Sequence, residues 1–261
     1  MNGELEFAIE GIGLCAPGLP DWTTARTILR GEREYVADAL ARPAPALLSP
    51  NERRRAPESV LLALGVAEAA CVMARREPRA LPNVFASAYG DLAINDYLCA
   101  ELARAPLDLS PTKFHNSVHN AAAGYWTIAS GCIRTSSAVS AGADTFGAGL
   151  LEAALLACRE ATPVVYAVYD TAATGPLVDV ATATASFGAG FVLTPGVAAG
   201  LARMRLSTRK AATPLAPLPV GLHALRAACP AAASLPLLAA LARSAAATLA
   251  VAPHLQLEIS F

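Results

Sequence analysis

An α/β fold, with its sheet covered by helices on both faces, is the architecture this sequence predicts, and three observations predict it. Short apolar runs recur along the chain, at Phe7–Leu14, Asn83–Ala88, Thr135–Ala141, Val164–Tyr169 and Ser186–Thr194. Longer stretches of helical character separate them, at Thr23–Arg30, Pro57–Arg75, Leu92–Arg104, Asn120–Ser130 and Asp144–Glu160. Short apolar strands bounded by helices imply a mostly parallel sheet buried on both sides.

Each element has its own signal. The first strand carries Gly11-x-Gly13, read as a turn at the strand end. The third glycine and the downstream acid of a dinucleotide fingerprint are missing at the required spacing. The helix Thr23–Arg30 stops at Gly31, as helices commonly do. The two longest apolar candidates, Val60 to Ala74 and Ala231 to Ala250, are broken by Glu68 and by Arg243-Ser244. Neither reaches the roughly 18 uninterrupted apolar residues of a spanning helix, so both read as buried helices. The Ala-Gly-rich segment Ala143–Ala157 suits a helix packed tightly between two sheets, because small side chains allow close backbone approach. Beyond Gly196, Leu201–Arg209 alternates apolar and basic residues as a strand with one wet face would. A Pro-rich linker, Pro214–Pro219, leads to helical segments at Leu222–Ala228 and Ser234–Val251, and His254–Phe261 reads as a final strand.

Composition excludes several classes. A formal net charge of −1 leaves no electrostatic footprint for nucleic acid or an anionic membrane. The six cysteines are scattered without a Cys-x-x-Cys pair, which argues against a zinc ribbon or redox motif. The start, Met1 to Glu10, is acidic and lacks the basic residues of a signal peptide, so a reducing cytoplasm is the expected location.

The stretch from Ser110 to Leu150 then narrows the reading. It runs SPTKFHNSVHNAAAGYWTIASGCIRTSSAVSAGADTFGAGL, with Ser110-Pro111, Asn120 and Gly124 at characteristic spacing. Upstream stand Phe7 to Gly18, Asp21-Trp22 and Val84-Phe85-Ala86-Ser87-Ala88-Tyr89-Gly90-Asp91; downstream stands Ser186-Phe187-Gly188-Ala189-Gly190-Phe191-Val192-Leu193. In this order the segments resemble the β-ketoacyl synthase family. The resemblance implies a thiolase-like layered α-β-α fold, with a complete first half over residues 1–196 and a strongly reduced second half over 197–261, packed on the first as one unit.

Two departures from the family pattern shape the functional expectation. Where an active synthase carries its nucleophilic cysteine, this chain reads Ser137 to Asp144, with Gly142 in the cysteine's place, or Ser140 if the register slips by two. After Tyr169 the only histidines are His223 and His254, and neither sits in a segment like those that hold the family's catalytic histidines. The chain therefore most resembles the short chain-length-factor subunits of bacterial aryl polyene (xanthomonadin-type) biosynthesis. Arg53-Arg54-Arg55 and Phe114 to Asn120 are the features that suggest that subgroup.

The resemblance implies a non-catalytic subunit, without cofactor or metal, that heterodimerises with a catalytic β-ketoacyl synthase. Such a subunit helps shape the acyl tunnel in polyketide or fatty-acid-type synthesis and meets acyl carrier protein through the complex. Lys113, Phe114, His115, Val118, His119, Asn120 and Val139 are then its tunnel and interface candidates. Arg53, Arg54 and Arg55 could dock carrier protein or form a solvated face.

Other readings stay open. His115 and His119, four apart, would share a helix face as metal ligands, although no third ligand adjoins them and Asn116 stands where a zincin needs Glu. Ser140 or Ser117 with Asp144 could serve a serine acyltransferase, Asp144 being equally suited to opening a helix. Cys132 could serve a thiol enzyme. A scaffold that recruits carrier protein without shaping a tunnel is a further possibility.

Overall fold

The computed structural model describes residues 4–196, 200–208 and 217–261. In chain order it contains β1 (Glu4–Cys15), α1 (Trp22–Leu29), α2 (Pro50–Arg55), α3 (Glu58–Ala74), β2 (Asn83–Ala86), α4 (Leu92–Arg104) and α5 (Pro111–His115). There follow α6 (Ala121–Ser130), β3 (Ser136–Val139), α7 (Thr145–Glu160), β4 (Val164–Asp170), β5 (Phe187–Pro195) and β6 (Ala202–Ser207). The last elements are α8 (Leu222–Ala228), α9 (Leu235–Arg243), β7 (Ala247–Ala252) and β8 (Leu255–Ser260). Arg209 and the first half of the expected linker, residues 214–216, lie outside the described residues.

All eight strands join one sheet in the order β3-β2-β4-β5-β1-β6-β8-β7. Only β3, β2 and β4 run parallel; every other neighbouring pair is antiparallel. This corrects the mostly parallel sheet expected from the alternation of strands and helices. The reason lies in the connections. No α-helix crosses between β4 and β5, only one short 3₁₀ segment at Gly175–Asp179, so the chain returns antiparallel beside the strand it left.

Helices α3 and α6 cover one face and α1, α7 and α9 the other, each over its own apolar cluster. β4 is buried along its whole length, as an interior strand should be. Gly11 and Gly13, expected in a strand-end turn, instead sit inside β1. Gly13 pairs with Gly190 of β5, and a Cβ on either would overlap the Val66 carbonyl of α3. The pair lets the helix backbone lie directly on the sheet.

Helix α7 is packed on both sides, but by one sheet rather than the expected two. Gly149 leaves room for Tyr166 of β4 and Ala86 of β2, while Gly147 on the other side lies against the Val251 carbonyl of β7. The far end of the sheet therefore bends back over the helix. The rings of Phe146, Tyr166 and Phe191 stack beneath it, and the Tyr166 hydroxyl donates to the Phe146 carbonyl at 2.7 Å.

β7 corrects the single helix expected over Ser234–Val251. Ser244 adopts a left-handed φ of 49° and ends α9, after which Leu249 and Val251 turn inward and Ala250 outward, a period of two. Alanine, compatible with either state, hid the change. The outer face at this end of the sheet is polar, where Arg205 lies near Glu4, Glu6 and Glu258 at 3.4 to 3.9 Å. No helix among the described residues is long and apolar enough to cross a membrane.

Candidate functional site

The carboxyl ends of β3, β2 and β4 come together, the position at which open α/β sheets bind ligands. β3 runs through Ser140 and Ala141 into one 3₁₀ turn, Gly142–Asp144, and so into α7. Gly142 has φ of 56°, and a Cβ there would meet nothing within 4 Å. The Thr145 hydroxyl closes the turn, accepting from the Ala141 amide at 2.9 Å and donating to the Gly142 carbonyl at 2.7 Å. Asp144 occupies the N-cap position of α7, but its side chain makes no capping hydrogen bond.

The hydroxyls considered as nucleophiles are committed elsewhere. Ser140 Oγ donates to the Ala88 carbonyl at 3.0 Å and Ser117 Oγ to the Phe114 carbonyl at 2.8 Å. Neither has a histidine as partner. Cys132 is buried, with Sγ donating to the Leu81 carbonyl. Cys229, near the junction, is also buried, and its thiol is pushed up to about 12 by burial and by the nearby Asp170. A thiol held in that state is a poor nucleophile.

Asp170, unnoticed in the sequence, organises this end of the sheet. It closes β4 at 1% exposure, and Oδ1 accepts from Ser87 Oγ at 2.7 Å and from the Ala88 and Tyr89 amides at 2.9 and 3.3 Å. Oδ2 has no hydrogen-bond partner among the described residues, although the Ala231 amide is near enough to favour the anion. The loop that Asp170 holds in turn supplies the carbonyls that bind His119 and Ser140. The available signal was a lone acid ending an otherwise apolar strand.

Burial raises the Asp170 carboxyl from 3.8 to about 6, against the opposing effect of its hydrogen bonds. Because the folded value lies above the unfolded one, the stabilisation it reflects is complete below about pH 4 and is lost as the pH rises through about 6. The loss is ~3 kcal/mol at 1.36 kcal/mol per unit. Asp170→Asn keeps an acceptor for Ser87 and cannot ionise, so its advantage over the wild type is expected to grow between pH 4 and pH 7. Denaturant unfolding at both pH values checks this, and a constant difference between the two proteins would refute it.

The other sequence candidates fall into two places. Lys113 lies on α5 with Nζ 3.6 Å from the Tyr97 ring centre, and it shares a cleft of about 430 Å³ with Arg55, Asp91 and Asn116. His115 ends α5, whereas His119 lies beyond it with Nε2 2.8 Å from the Ser87 carbonyl, so the two do not share a helix face. Asn120 caps α6 without a side-chain bond. Arg53 donates to the Pro45 carbonyl and Arg54 contacts Asn51, which leaves Arg55 facing the cleft.

The second place is the free edge of the sheet. Among the described residues β3 pairs only with β2, and Asn83 and Ser87 of that side donate to the Thr135 and Val139 carbonyls. Val139 therefore turns its backbone groups inward, while Ser136 and Ala138 present theirs at the open edge. Large apolar side chains stand exposed along the segment that leads to it: Phe114 at 65%, Val118 at 53%, Ile128 at 79% and Ile133 at 97%. The last two were missed. Ile128, two residues past the buried Trp126 on α6, lies on the opposite helix face, a periodicity that the Ala-rich sequence obscured.

The family model described as the N-terminal domain of β-ketoacyl synthase matches residues 29–252. The chain belongs to that family. Comparison with curated proteins gave no match. Among solved structures, this chain is similar to one in the complex of the ketosynthase ApeO with its chain length factor ApeC from Xenorhabdus doucetiae. The identity is 23%, with 98% of this chain and 100% of that one covered and a TM-score of 0.74. It is similar as well to the ishigamide ketosynthase/chain length factor, at 15% identity, 98% coverage of both chains and a TM-score of 0.70. A β-ketoacyl synthase from Burkholderia phymatum STM815 matches at 14% identity, with 92% of this chain and 71% of that one covered and a TM-score of 0.61. The fold is thus the thiolase-like fold expected for the family, in a short chain.

Proposed function

We propose that this chain is a non-catalytic, chain-length-factor-like subunit that pairs with a catalytic β-ketoacyl synthase through the β3 edge and helps shape its acyl tunnel. The observation that carries the proposal is the β3–α7 junction, where Gly142 stands in an open left-handed turn. Condensation needs a thiolate there, with donors for the developing oxyanion. The surrounding hydroxyls and the Cys229 thiol are engaged or protonated as described. The end-to-end match with the ApeO–ApeC structure supports the same reading.

The proposal extends to residues 1–196 as the synthase-like half and 197–261 as a reduced second half. Phe114, Val118 and Lys113 lie where the tunnel is approached, and Arg55 serves carrier-protein docking. The product belongs to the aryl polyene, polyketide or fatty-acid class, made in the cytoplasm.

Co-expression with a candidate synthase tests the pairing. Alone, the chain is expected to give no ketoacyl product from acylated and malonylated carrier protein; with its partner, a soluble complex and product are expected. Phe114→Ala then reads the tunnel role, since added space can bury a longer chain at about 0.8 kcal/mol per methylene. Product length is expected to shift upward at full complex occupancy. An unchanged distribution would make Phe114 ordinary packing, and turnover by the isolated chain would overturn the non-catalytic assignment.

A further inference from the structure

Beside the β3–α7 junction a cleft of about 380 Å³ opens between Ala143, Thr182, His223, Arg226 and Cys229. No acidic residue lines it. Among the described residues only two arginines, Arg53 and Arg226, are less than freely exposed. Arg53 donates to the Pro45 carbonyl, whereas the Arg226 guanidinium makes no hydrogen bond or ion pair with any described residue. The residues outside the described set include no aspartate or glutamate, so they offer it no side-chain carboxylate.

The fold holds Arg226 in this position. Leu222 and Leu225 bury the inner face of α8, and the 3₁₀ segment that follows, Pro230–Ser234, buries Ala231, Ala232 and Ser234. Arg226 is left in the last turn of α8, partly desolvated, and burial lowers its affinity for the proton. A half-buried cation without a counter-charge is costly, and a guanidinium matches the two oxygens of a carboxylate or phosphate. Thr182 adds a hydroxyl on the same cleft, oriented by a 2.9 Å hydrogen bond with the Tyr89 hydroxyl. His223 adds an imidazole on the same cleft.

We propose that this cleft is a binding site for a small oxyanion, a carboxylate or phosphate group, gripped by Arg226 with Thr182 and His223 beside it. The site belongs to the isolated chain and does not depend on the pairing proposed above.

Titration of the full chain with malonate and with inorganic phosphate, followed by amide NMR, tests it against chloride at matched ionic strength. Saturable shifts at Thr182 and across residues 222–229 are expected for at least one anion, with a dissociation constant of about a millimolar or below, the range of ~4 kcal/mol. Their relative affinities separate a carboxylate from a phosphate preference. Arg226→Gln is expected to weaken binding at least about tenfold, and Arg226→Lys to restore part of it. His223→Gln should have the smaller effect. Thermal unfolding verifies that each variant is folded. Failure of both anions to saturate, an equal response to chloride, or wild-type affinity in folded Arg226→Gln would each overturn the site.

Discussion

Placing glutamate at both Ile128 and Ile133 is expected to abolish co-purification with the catalytic synthase while leaving the unfolding of the isolated chain unchanged. Both side chains are largely solvated in the free subunit, at 79% and 97% exposure, so their replacement removes little internal packing. In the proposed complex they flank the paired strand edge and lose that solvent. An unpaired charge in such a place costs as much as a central interface residue, and two together are expected to weaken association roughly a hundredfold or more. Ala138→Pro offers an independent reading, because it removes an amide that points away from β2. Proline at Val139 would instead damage the internal ladder. Wild-type affinity in the folded glutamate double variant would place the interface elsewhere.

Gly190→Ala is expected to cost about 3 kcal/mol or more, because its Cβ would overlap the Val66 carbonyl of α3 and backbone cannot move aside as a side chain can. For a chain of this size that corresponds to a fall of roughly 10 °C in Tm. Gly124→Ala is the control. Gly124 lies within α6 with nothing within 4 Å of its Cβ position, so alanine there should be neutral or mildly stabilising. Equal melting temperatures for wild type and Gly190→Ala would show that the helix can lift from the sheet at little cost.

The Gly13–Gly190 pair also marks the limit of what the sequence shows. That β1 and β5 exist follows from their apolar runs; that their glycines lie opposite one another beneath a helix depends on a pairing between residues far apart in the chain. Strand direction failed for a related reason: it is decided by whether a helix crosses between neighbours, and the segment after Asp170 carries only a 3₁₀ turn. β7 was hidden by alanine, which satisfies the helical and the extended pattern equally. The junction at Ser140–Gly142 was legible because its clue is local, a residue type at a turn. Asp170 and Arg226 were not, since what distinguishes each is the burial and the partners that distant segments provide.

The sheet order has a consequence for synthesis. β1, which leaves the ribosome before the other described strands, ends between β5 and β6. Cys15 precedes Phe187 by about 170 residues, so at 5–20 residues per second β1 waits roughly 9 to 34 s for its first neighbour. Both of its edges stay open meanwhile, and loop-closure entropy delays the contacts that will cover them. The nascent chain therefore passes through a long interval in which an apolar strand is available to other chains, and yield in the cell depends on how that interval is shielded.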